Sequence, residues 1–243
     1  MNQTARPLDI PYEVHGFDCG YGSGFRVLSI ANFLQEAAGR SASELGIGME
    51  HLQAEGRTWM LSRIDLRVDA LPAEGDRVTV RTWPAGTERL FALRDLTLLD
   101  AAGRSLIRAV YAYLVVDLAA RRPLRPERVL AADMKVELPH PVADYRHSVP
   151  AAEGTELSFE PVVRPACIDH NGHANNAWLI DWLVDAVPRA ERGSGLRELR
   201  VEFTNEALEG EKLEARWARG GAGVLTELRR GSDLVARAET VWG

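Results

Sequence analysis

One stretch of the chain brings together side chains that can transfer protons and one that can donate hydrogen bonds. Asp169, Asn171 and His173 occupy every second position of a segment that contains Gly172, and an apolar pattern with helical spacing follows directly. The first N–H groups of a helix have no internal partner, so polar side chains placed there can be held rigidly while they face a cleft. We interpret this segment as the active site.

Composition limits the class of protein. The 243 residues are 46% apolar and 26% charged, which is typical of one large globular domain or two smaller ones. The net charge of −6 argues against a nucleic-acid-binding protein and against a polybasic membrane anchor. No run of about 18 apolar residues occurs, and residues 1–11 contain no signal-peptide core. Cys19 and Cys167 are too few for a disulfide framework, so we expect a cytoplasmic protein.

A buried helix is predicted early in the chain. Ser29 is a plausible N-cap, and Gly39 lies near the expected end of the helix. The apolar positions that face the core at helical spacing include Ile30, Phe33 and Leu34.

The helix is followed by runs that predict strands. Residues 63–70 and 77–83 alternate polar and apolar positions across a turn, and residues 91–99 and 106–116 form two further runs. We therefore expect one helix and an antiparallel meander over roughly residues 10–120.

The same plan recurs later in the chain. Leu199 corresponds to Ile64 and Gly210 to Gly75, both at an offset of 135 residues. The pattern predicts a tandem repeat of one helix-plus-sheet unit. We predict an N-terminal unit at 1–120, a proline-rich crossing linker at 121–160 with a short helix near 126–134, and a C-terminal unit at 161–243.

A sheet that wraps one long helix, duplicated in a single chain, resembles the double hot-dog architecture. The resemblance implies an α+β fold in which each half is an antiparallel sheet wrapped around a long central helix. The motif is more specific: Asp-x-Asn-x-His followed by x-Asn-Asn is similar to the catalytic segment of the acyl-acyl carrier protein thioesterases of plants and bacteria. The matching residues are Asp169, Asn171, His173, Asn175 and Asn176.

The resemblance also extends to a strand about 30 residues later. In the family, this strand has a sequence similar to Leu-Glu-Tyr-Arg-Arg-Glu-Cys. Residues 201–207 occupy the corresponding positions in this chain. Glu206 therefore matches the family's catalytic carboxylate, and Ala207 stands where plant members carry Cys. This departure argues against a cysteine nucleophile. The implied activity is hydrolysis of fatty acyl-acyl carrier protein to free fatty acid and carrier thiol in fatty acid biosynthesis.

Thioester hydrolysis needs an activated water, stabilisation of an oxyanion and a proton for the departing thiolate. His173 and Glu206 are assigned to the activation or orientation of water. Asp169 either tunes His173 or acts as base or nucleophile. Asn171, or a backbone N–H at the helix start, would donate to the thioester carbonyl. The sequence leaves open which carboxylate acts first.

The first half of the chain lacks this set of residues. At the offset of 135, Glu206 corresponds to Leu71, and the first helix entrance, residues 22–27, has no Asp-x-Asn-x-His motif. The second half is therefore expected to carry the chemistry, while the first supplies the wall of an acyl pocket. The candidates for that wall are Trp59, Met60, Ile30, Phe33 and Leu34.

The position of Glu206 raises a geometric question. Val201 and Phe203 share one face of a strand, so Glu206 would point the other way if the strand continued. We therefore predict a strand end or bulge near Asn205.

Other residues have ordinary structural interpretations. Asn175 and Asn176 are expected to cap the helix, and Asp181 and Asp185 to lie on its surface. Arg121, Arg122, Arg125 and Arg128 are either a solvated surface or a contact for an acidic carrier protein.

The expected partners are acyl carrier protein and its fatty acyl thioester, without nucleic acid, membrane, metal or organic cofactor. Acyl chain length is not predicted, and both a monomer and a homodimer remain open. The alternative functions are an acyl-CoA thioesterase, a hot-dog enoyl-thioester hydratase and a non-catalytic acyl-binding module. Hydratases carry an Asp-x-Asn-Pro-x-His pattern, whereas here the spacing from Asp169 to His173 is one residue shorter and the proline is absent.

Overall fold

The computed structural model describes residues 5–20, 24–146 and 148–243. They form two compact units: unit 1 comprises the described residues up to 25 together with 32–145, and unit 2 comprises residues 26–31 together with 146–243. The predicted domain limits at residues 120 and 160 stay a prediction.

The strands of unit 1 form an antiparallel sheet with the order β1-β3-β4-β5-β2, and β6 pairs with β5. The first turn of helix α1 belongs to unit 2. The elements are β1 (Leu8–Glu13), α1 (Val27–Glu44), α2 (Met49–Ala54), β2 (Arg57–Val68), β3 (Arg77–Glu88), β4 (Phe91–Leu99), β5 (Ser105–Asp117) and β6 (Arg122–Leu124).

The strands of unit 2 are antiparallel as well, in the order β7-β9-β10-β11-β8. Helix α3 packs against β9, β10 and β11, and its side chains at Leu179, Ile180 and Leu183 are buried. The elements are β7 (Glu156–Phe159), α3 (Asn176–Asp185), β8 (Leu196–Phe203), β9 (Glu214–Gly220), β10 (Gly223–Arg230) and β11 (Asp233–Trp242).

The two sets of strands have one topology, which confirms the predicted internal repeat. Each strand of unit 1 from β1 to β5 has a counterpart in unit 2 at the same place in the sheet order. Gly75 and Gly210 have φ angles of 85° and 83°, in the left-handed region that favours glycine. Their N–H groups donate over the same distance, 2.8 Å, to the carbonyl oxygens of Val14 and Val163. The offset of 135 residues therefore relates equivalent turns.

The expected meander is only partly correct. Strands β3, β4 and β5 are consecutive neighbours, but β2 pairs with β5 and not with β3. The edge of β3 is occupied instead by β1, with Ile10 opposite Val80. The prediction of a β2–β3 hairpin was wrong because alternation identifies the buried face of a strand and carries no information on which strand lies beside it.

Helix α1 is longer than predicted. It begins at Val27 and ends at Glu44, so Ser29 lies inside the helix and is buried rather than capping it. The Leu28 N–H, one of the first-turn donors without an intrahelical acceptor, donates instead to the Asp181 carboxylate. The short helix α2 was not predicted. Within the described segments, no helix is long and apolar enough to cross a lipid bilayer.

The segment after β6 is held against unit 1 by a buried acid. The His140 Nδ1 atom lies 3.0 Å from both carboxylate oxygens of Asp95, whose side chain is fully buried. Burial raises the pKa of Asp95 to about 6, although the hydrogen bond with His140 acts in the opposite direction. The short helix expected near 126–134 is present as two separate 3-10 turns, Pro126–Arg128 and Ala132–Met134.

Asp181 is partly buried, which corrects its interpretation as a surface residue, whereas Asp185 is exposed. Burial, reinforced by the nearby Asp185 carboxylate, raises the pKa of Asp181 to about 6 against the attraction of Arg26 and the Leu28 N–H. A raised folded-state pKa stabilises the fold at low pH, and this contribution is lost as the pH rises through about 6.

We therefore predict that Asp181→Asn stabilises the protein at pH 8, because the amide keeps an acceptor for Leu28 and carries no charge. The expected gain in unfolding free energy is about 1 to 2 kcal/mol, reduced for partial solvent exposure, and it should shrink as the pH falls toward 4. Urea unfolding of both proteins at several pH values measures it, with Glu209→Gln, at an exposed acid away from Asp181 in the sequence, as the matched control. A gain that does not vary with pH would contradict the assignment.

Candidate functional site

Residues 168–174 form a tight hairpin at the entrance to α3. The Gly172 N–H donates to the Asp169 carbonyl at 3.1 Å, and the Asp169 N–H donates to the His173 carbonyl at 3.0 Å. Gly172 has φ 84°, which allows the chain to reverse there. Ile168 and Ala174 pair as an isolated β-bridge at the base of the hairpin. The reversal brings Asp169 and His173 together.

The Asp169 carboxylate is held by its neighbour in the turn. Its Oδ1 accepts the Asn171 backbone N–H at 2.8 Å, and its Oδ2 accepts the Asn171 side-chain Nδ2–H at 3.3 Å. The Asp169 side chain is only 16% exposed. Asn171 therefore fixes the orientation of this carboxylate, and its expected role as a donor to a thioester carbonyl stays a prediction.

The His173 imidazole faces this carboxylate and is 25% exposed. Its Nδ1 lies 3.8 Å from Asp169 Oδ1 and 3.4 Å from the Ala174 carbonyl oxygen. With the proton on Nδ1, directed toward these two acceptors, Nε2 carries the lone pair that a general base needs. The neighbouring His170, which lies outside the motif, is exposed.

A main-chain hydrogen bond places Glu206 beside this histidine in the backbone. The Ala174 N–H donates to the Ala207 carbonyl at 2.8 Å. His173 and Glu206 immediately precede the two residues of this bond, so the two segments run side by side at the site. The structure thus brings Asp169, Asn171, His173 and the backbone of Glu206 into one region of unit 2, with the Glu206 side chain exposed.

The predicted break before Glu206 is confirmed. Strand β8 ends at Phe203, and the N–H groups of both Thr204 and Asn205 donate to one acceptor, the Val235 carbonyl, at 2.9 and 3.1 Å. Two donors on one carbonyl interrupt the regular ladder of β8 and β11. The chain then leaves the sheet as an exposed loop toward the Gly210 turn.

Two residues that anchor this loop were missed in the sequence. The Thr204 hydroxyl and the Asn205 carboxamide donate to the Leu234 carbonyl at 2.6 and 2.7 Å. Thr and Asn directly after a strand are typical of such side-chain to backbone bonds, which was the available signal. They fix the start of the segment that carries Glu206.

Asn175 has the structural role that was expected for it. Its Oδ1 accepts the Ala177 N–H at 2.9 Å and caps α3, which begins at Asn176. The Asn175 N–H donates to the Cys167 carbonyl at 2.8 Å. The hairpin of residues 168–174 is therefore fixed to the helix start, whose first N–H groups point away from the helix.

At the positions equivalent to the candidate site, the described part of unit 1 has no such set of residues. Leu71, the counterpart of Glu206, is 44% exposed and precedes the equivalent Gly75 turn. The first helix entrance, residues 22–27, begins outside the described residues, and its described part from Gly24 onward contains no carboxylate or imidazole.

The helical candidates for the acyl-pocket wall differ in exposure. Ile30 and Leu34 are buried, at 3% and 1% exposure. Phe33 is half-buried and stacks on Tyr12, with ring centroids 4.5 Å apart, and it meets Phe25 edge-on at 5.4 Å.

The two candidates on β2 differ in their contacts and in their exposure. The Trp59 indole N–H donates to the Ile47 carbonyl at 2.8 Å, and its ring meets Tyr113 edge-on. Met60 is 40% exposed. Contact of these five side chains with an acyl chain stays a prediction.

Comparison with known proteins identifies the family. Models of the acyl-ACP thioesterase N-terminal and C-terminal domains match residues 8–132 and 150–243. The chain belongs to the acyl-ACP thioesterase family. A curated relative, the chloroplastic acyl-[acyl-carrier-protein] hydrolase FATB1 of Cuphea viscosissima, is 24% identical over 258 residues, which are 95% of this chain and 60% of that protein. The chain thus spans less than two thirds of that relative's length.

Solved structures of the acyl-ACP thioesterase family share the fold. An acyl-ACP thioesterase from Bacteroides thetaiotaomicron superposes with a TM-score of 0.87 at 22% identity and covers 97% of both chains. The 12:0-ACP thioesterase from Umbellularia californica gives a TM-score of 0.83 at 18% identity and covers 98% of this chain and 97% of the other. These neighbours confirm the predicted double hot-dog fold.

The hairpin of residues 168–174 depends on the left-handed backbone at Gly172. A Cβ added there would meet nothing within 4 Å, so the cost of substitution is backbone strain alone. We predict that Gly172→Val lowers the unfolding free energy by about 1 to 3 kcal/mol. Gly172→Asn should cost less, since Asn adopts this conformation more readily. Chemical denaturation measures both, and equal losses in the two variants would contradict this explanation.

Proposed function

We propose that this member of the acyl-ACP thioesterase family hydrolyses fatty acyl-acyl carrier protein in fatty acid biosynthesis, with free fatty acid and carrier thiol as products. The observation that carries the proposal is the Ala174–Ala207 hydrogen bond, which sets the backbone of Glu206 beside the Asp169–His173 pair. These are the carboxylates and the imidazole that general acid–base hydrolysis requires.

In this mechanism His173 is the proton carrier. Its Nε2 takes a proton from water as the water oxygen bonds to the acyl carbon and the carbonyl electron pair moves to oxygen. When the carbonyl re-forms, the carbon–sulfur bond breaks and the imidazolium returns the proton to the thiolate. We assign Glu206 to the orientation of the water, as an acceptor of its second proton.

Asp169 is assigned to stabilising the imidazolium. Both of its oxygens already accept hydrogen bonds from Asn171, and Oδ1 lies 3.8 Å from His173 Nδ1. A carboxylate fixed in this way is better suited to hold a positive charge than to attack a carbon, so we favour Glu206 as the carboxylate that meets the water.

The oxyanion needs donors that are in place before the reaction. We propose the backbone N–H of Asn176, at the first position of α3, for this role, because the Asn175 cap is directed to Ala177 instead. The second amide proton of Asn171 is the other candidate. A helix N-terminus favours negative charge, which supports either donor.

The sequence at the site supports water over a thiol as the nucleophile. Ala207 is fully buried and its carbonyl is bonded to Ala174, so this position supplies structure and no nucleophile. Both Cys19 and Cys167 are free thiols. Free thiols are typical of reducing compartments, and we propose a cytoplasmic site of action on that basis.

The first test removes the proposed acid–base groups. We predict that His173→Ala and Glu206→Ala each lower kcat for acyl-carrier substrate at least about 100-fold, the scale of a positioned acid–base group. Release of free thiol measures the rate, and circular dichroism checks that both variants are folded.

Matched controls are available next to each residue. His170 and Glu209 are exposed neighbours of the site, and alanine at either position should leave kcat within about twofold of the wild-type value. Wild-type turnover in both His173→Ala and Glu206→Ala would overturn the assignment. Hydration of an enoyl thioester without hydrolysis would favour the hydratase, and tight acyl binding without turnover would favour the binding module.

The second test concerns the acyl-pocket wall. Met60 is exposed enough to accept a larger side chain without repacking a core. If Met60 lines the acyl path, Met60→Trp should shift kcat/KM toward shorter chains, by about tenfold for a loss of several methylenes of space. A panel of acyl-carrier thioesters of increasing length measures the shift. Leu138→Trp, at a similarly exposed apolar position, should leave the profile unchanged, and an unchanged profile in Met60→Trp would remove Met60 from the pocket.

A further inference from the structure

We propose that five exposed arginines of unit 1 form a docking surface for an acidic carrier protein, an inference that rests on the proposed function. We call them the arginine patch: Arg89, Arg121, Arg122, Arg125 and Arg128.

The arginine patch is a cluster of exposed side chains without ion pairs of their own in the part of the chain that the structure describes. Within the described residues, no carboxylate lies within 4.0 Å of the guanidinium of any of its five members. Other arginines of unit 1 do form ion pairs, with Arg81 on Asp9, Arg104 on Asp100 and Arg108 on Asp69. In a chain of net charge −6, an unneutralised cluster of this size is a local reversal of the overall charge.

The acids nearest in sequence are directed to other groups. Asp117, opposite Arg122 in the β5–β6 pair, accepts the N–H groups of Ala119 and Ala120 at 3.0 and 2.8 Å. Glu127 accepts the Thr87 hydroxyl at 3.0 Å. Neither of these acids therefore forms an ion pair with a member of the patch, and Glu88, which precedes Arg89, accepts the Tyr145 hydroxyl at 3.1 Å.

The Glu127–Thr87 bond also shows how the patch is assembled. It joins the 3-10 turn Pro126–Arg128 to the end of β3, where the hairpin carrying Arg89 begins. The Arg128 carbonyl accepts from the Arg57 guanidinium at 3.3 Å, which fixes the turn further without using the Arg128 side chain. The members on two separate hairpins thus belong to one surface of unit 1.

Two members of the patch sit in a costly backbone conformation. Arg89 and Arg121, with φ angles of 55° and 51°, are the non-glycine residues with positive φ in the described part of the chain. A residue other than glycine costs roughly 1 to 2 kcal/mol in this region. Glycine occupies ten other positive-φ positions in the described residues, so arginine at these two turns departs from the local backbone preference.

Apolar side chains accompany the charges. Leu90 follows Arg89 and is 41% exposed, and Leu118 precedes the turn at Arg121 and is 48% exposed. Arginine beside exposed apolar area is typical of protein interfaces. A nucleic acid or lipid headgroup would be recognised by the charges alone, whereas a folded acidic partner uses both features. The negative charge of the rest of the molecule would orient such a partner toward the patch.

The test compares the rates at which the wild-type protein and a variant of the patch hydrolyse two substrates. One is an acyl group on carrier protein, and the other is the same acyl group on a small uncharged thiol. In the triple variant Arg122→Glu, Arg125→Glu and Arg128→Glu, kcat/KM for acyl-carrier protein at low salt should fall at least about tenfold. Hydrolysis of the uncharged S-acyl-N-acetylcysteamine should stay within about twofold. The wild-type kcat/KM on the carrier substrate should decrease as salt is raised, and this dependence should flatten in the variant.

The matched control is Arg77→Glu, an exposed arginine at the opposite end of β3, which should change neither rate. Wild-type activity of the triple variant on the carrier substrate would overturn the docking surface. Equal losses on both substrates would also overturn it, because they would report damage to the fold.

Failure of the proposed function would look different. In that case the wild-type protein itself would not hydrolyse acyl-carrier substrate at any salt concentration. Sedimentation of the wild-type protein with vesicles containing anionic lipid, lost in the triple variant and not competed by carrier protein, would replace the protein partner with a membrane and overturn the proposal.

Discussion

The hydrogen bond from the Ala174 N–H to the Ala207 carbonyl is the contact on which the candidate site depends. It connects two segments of very different origin, a hairpin before a helix and a loop after a strand. Neither segment is regular secondary structure, so neither would be fixed by a ladder of its own. The bond uses backbone atoms only, and its geometry is therefore independent of which side chains stand at 173 and 206. Cap and anchor bonds from Asn175, Thr204 and Asn205 then restrict each segment on its other side.

The shared strand order of the two units explains how the candidate site can be present in one unit and absent at the equivalent positions of the other. Both have the same strand order and equivalent glycine turns, so the scaffold is the same. The difference lies in exposed loop residues, where a change of side chain costs little stability. Leu71 and Glu206 precede equivalent turns, yet only one of them can accept a proton. The candidate site thus depends on exposed loop residues, whereas the fold depends on the strands and glycine turns that both units share.

Much of this could be predicted from the sequence, for reasons that particular residues make clear. The repeat was visible because Gly75 and Gly210 both need a left-handed backbone, which few residues other than glycine adopt. The break after Phe203 followed from the parity of strand positions. The strands that pair with β2 could not be predicted, because the alternation of polar and apolar residues does not indicate which strands lie side by side. The cap of α1 was also out of reach, because its acceptor, Asp181, lies more than 150 residues away in the chain.

The exposure of Leu71 has a consequence for how such enzymes change over time. Its backbone already follows the path that presents Glu206 in the other unit, and its side chain packs against little. A carboxylate could therefore appear at this position through a few nucleotide changes without disturbing the core. Unit 1 therefore keeps a backbone framework equivalent to that of the candidate site in unit 2. After a duplication, a new specificity could arise at this second position while the original site is unchanged.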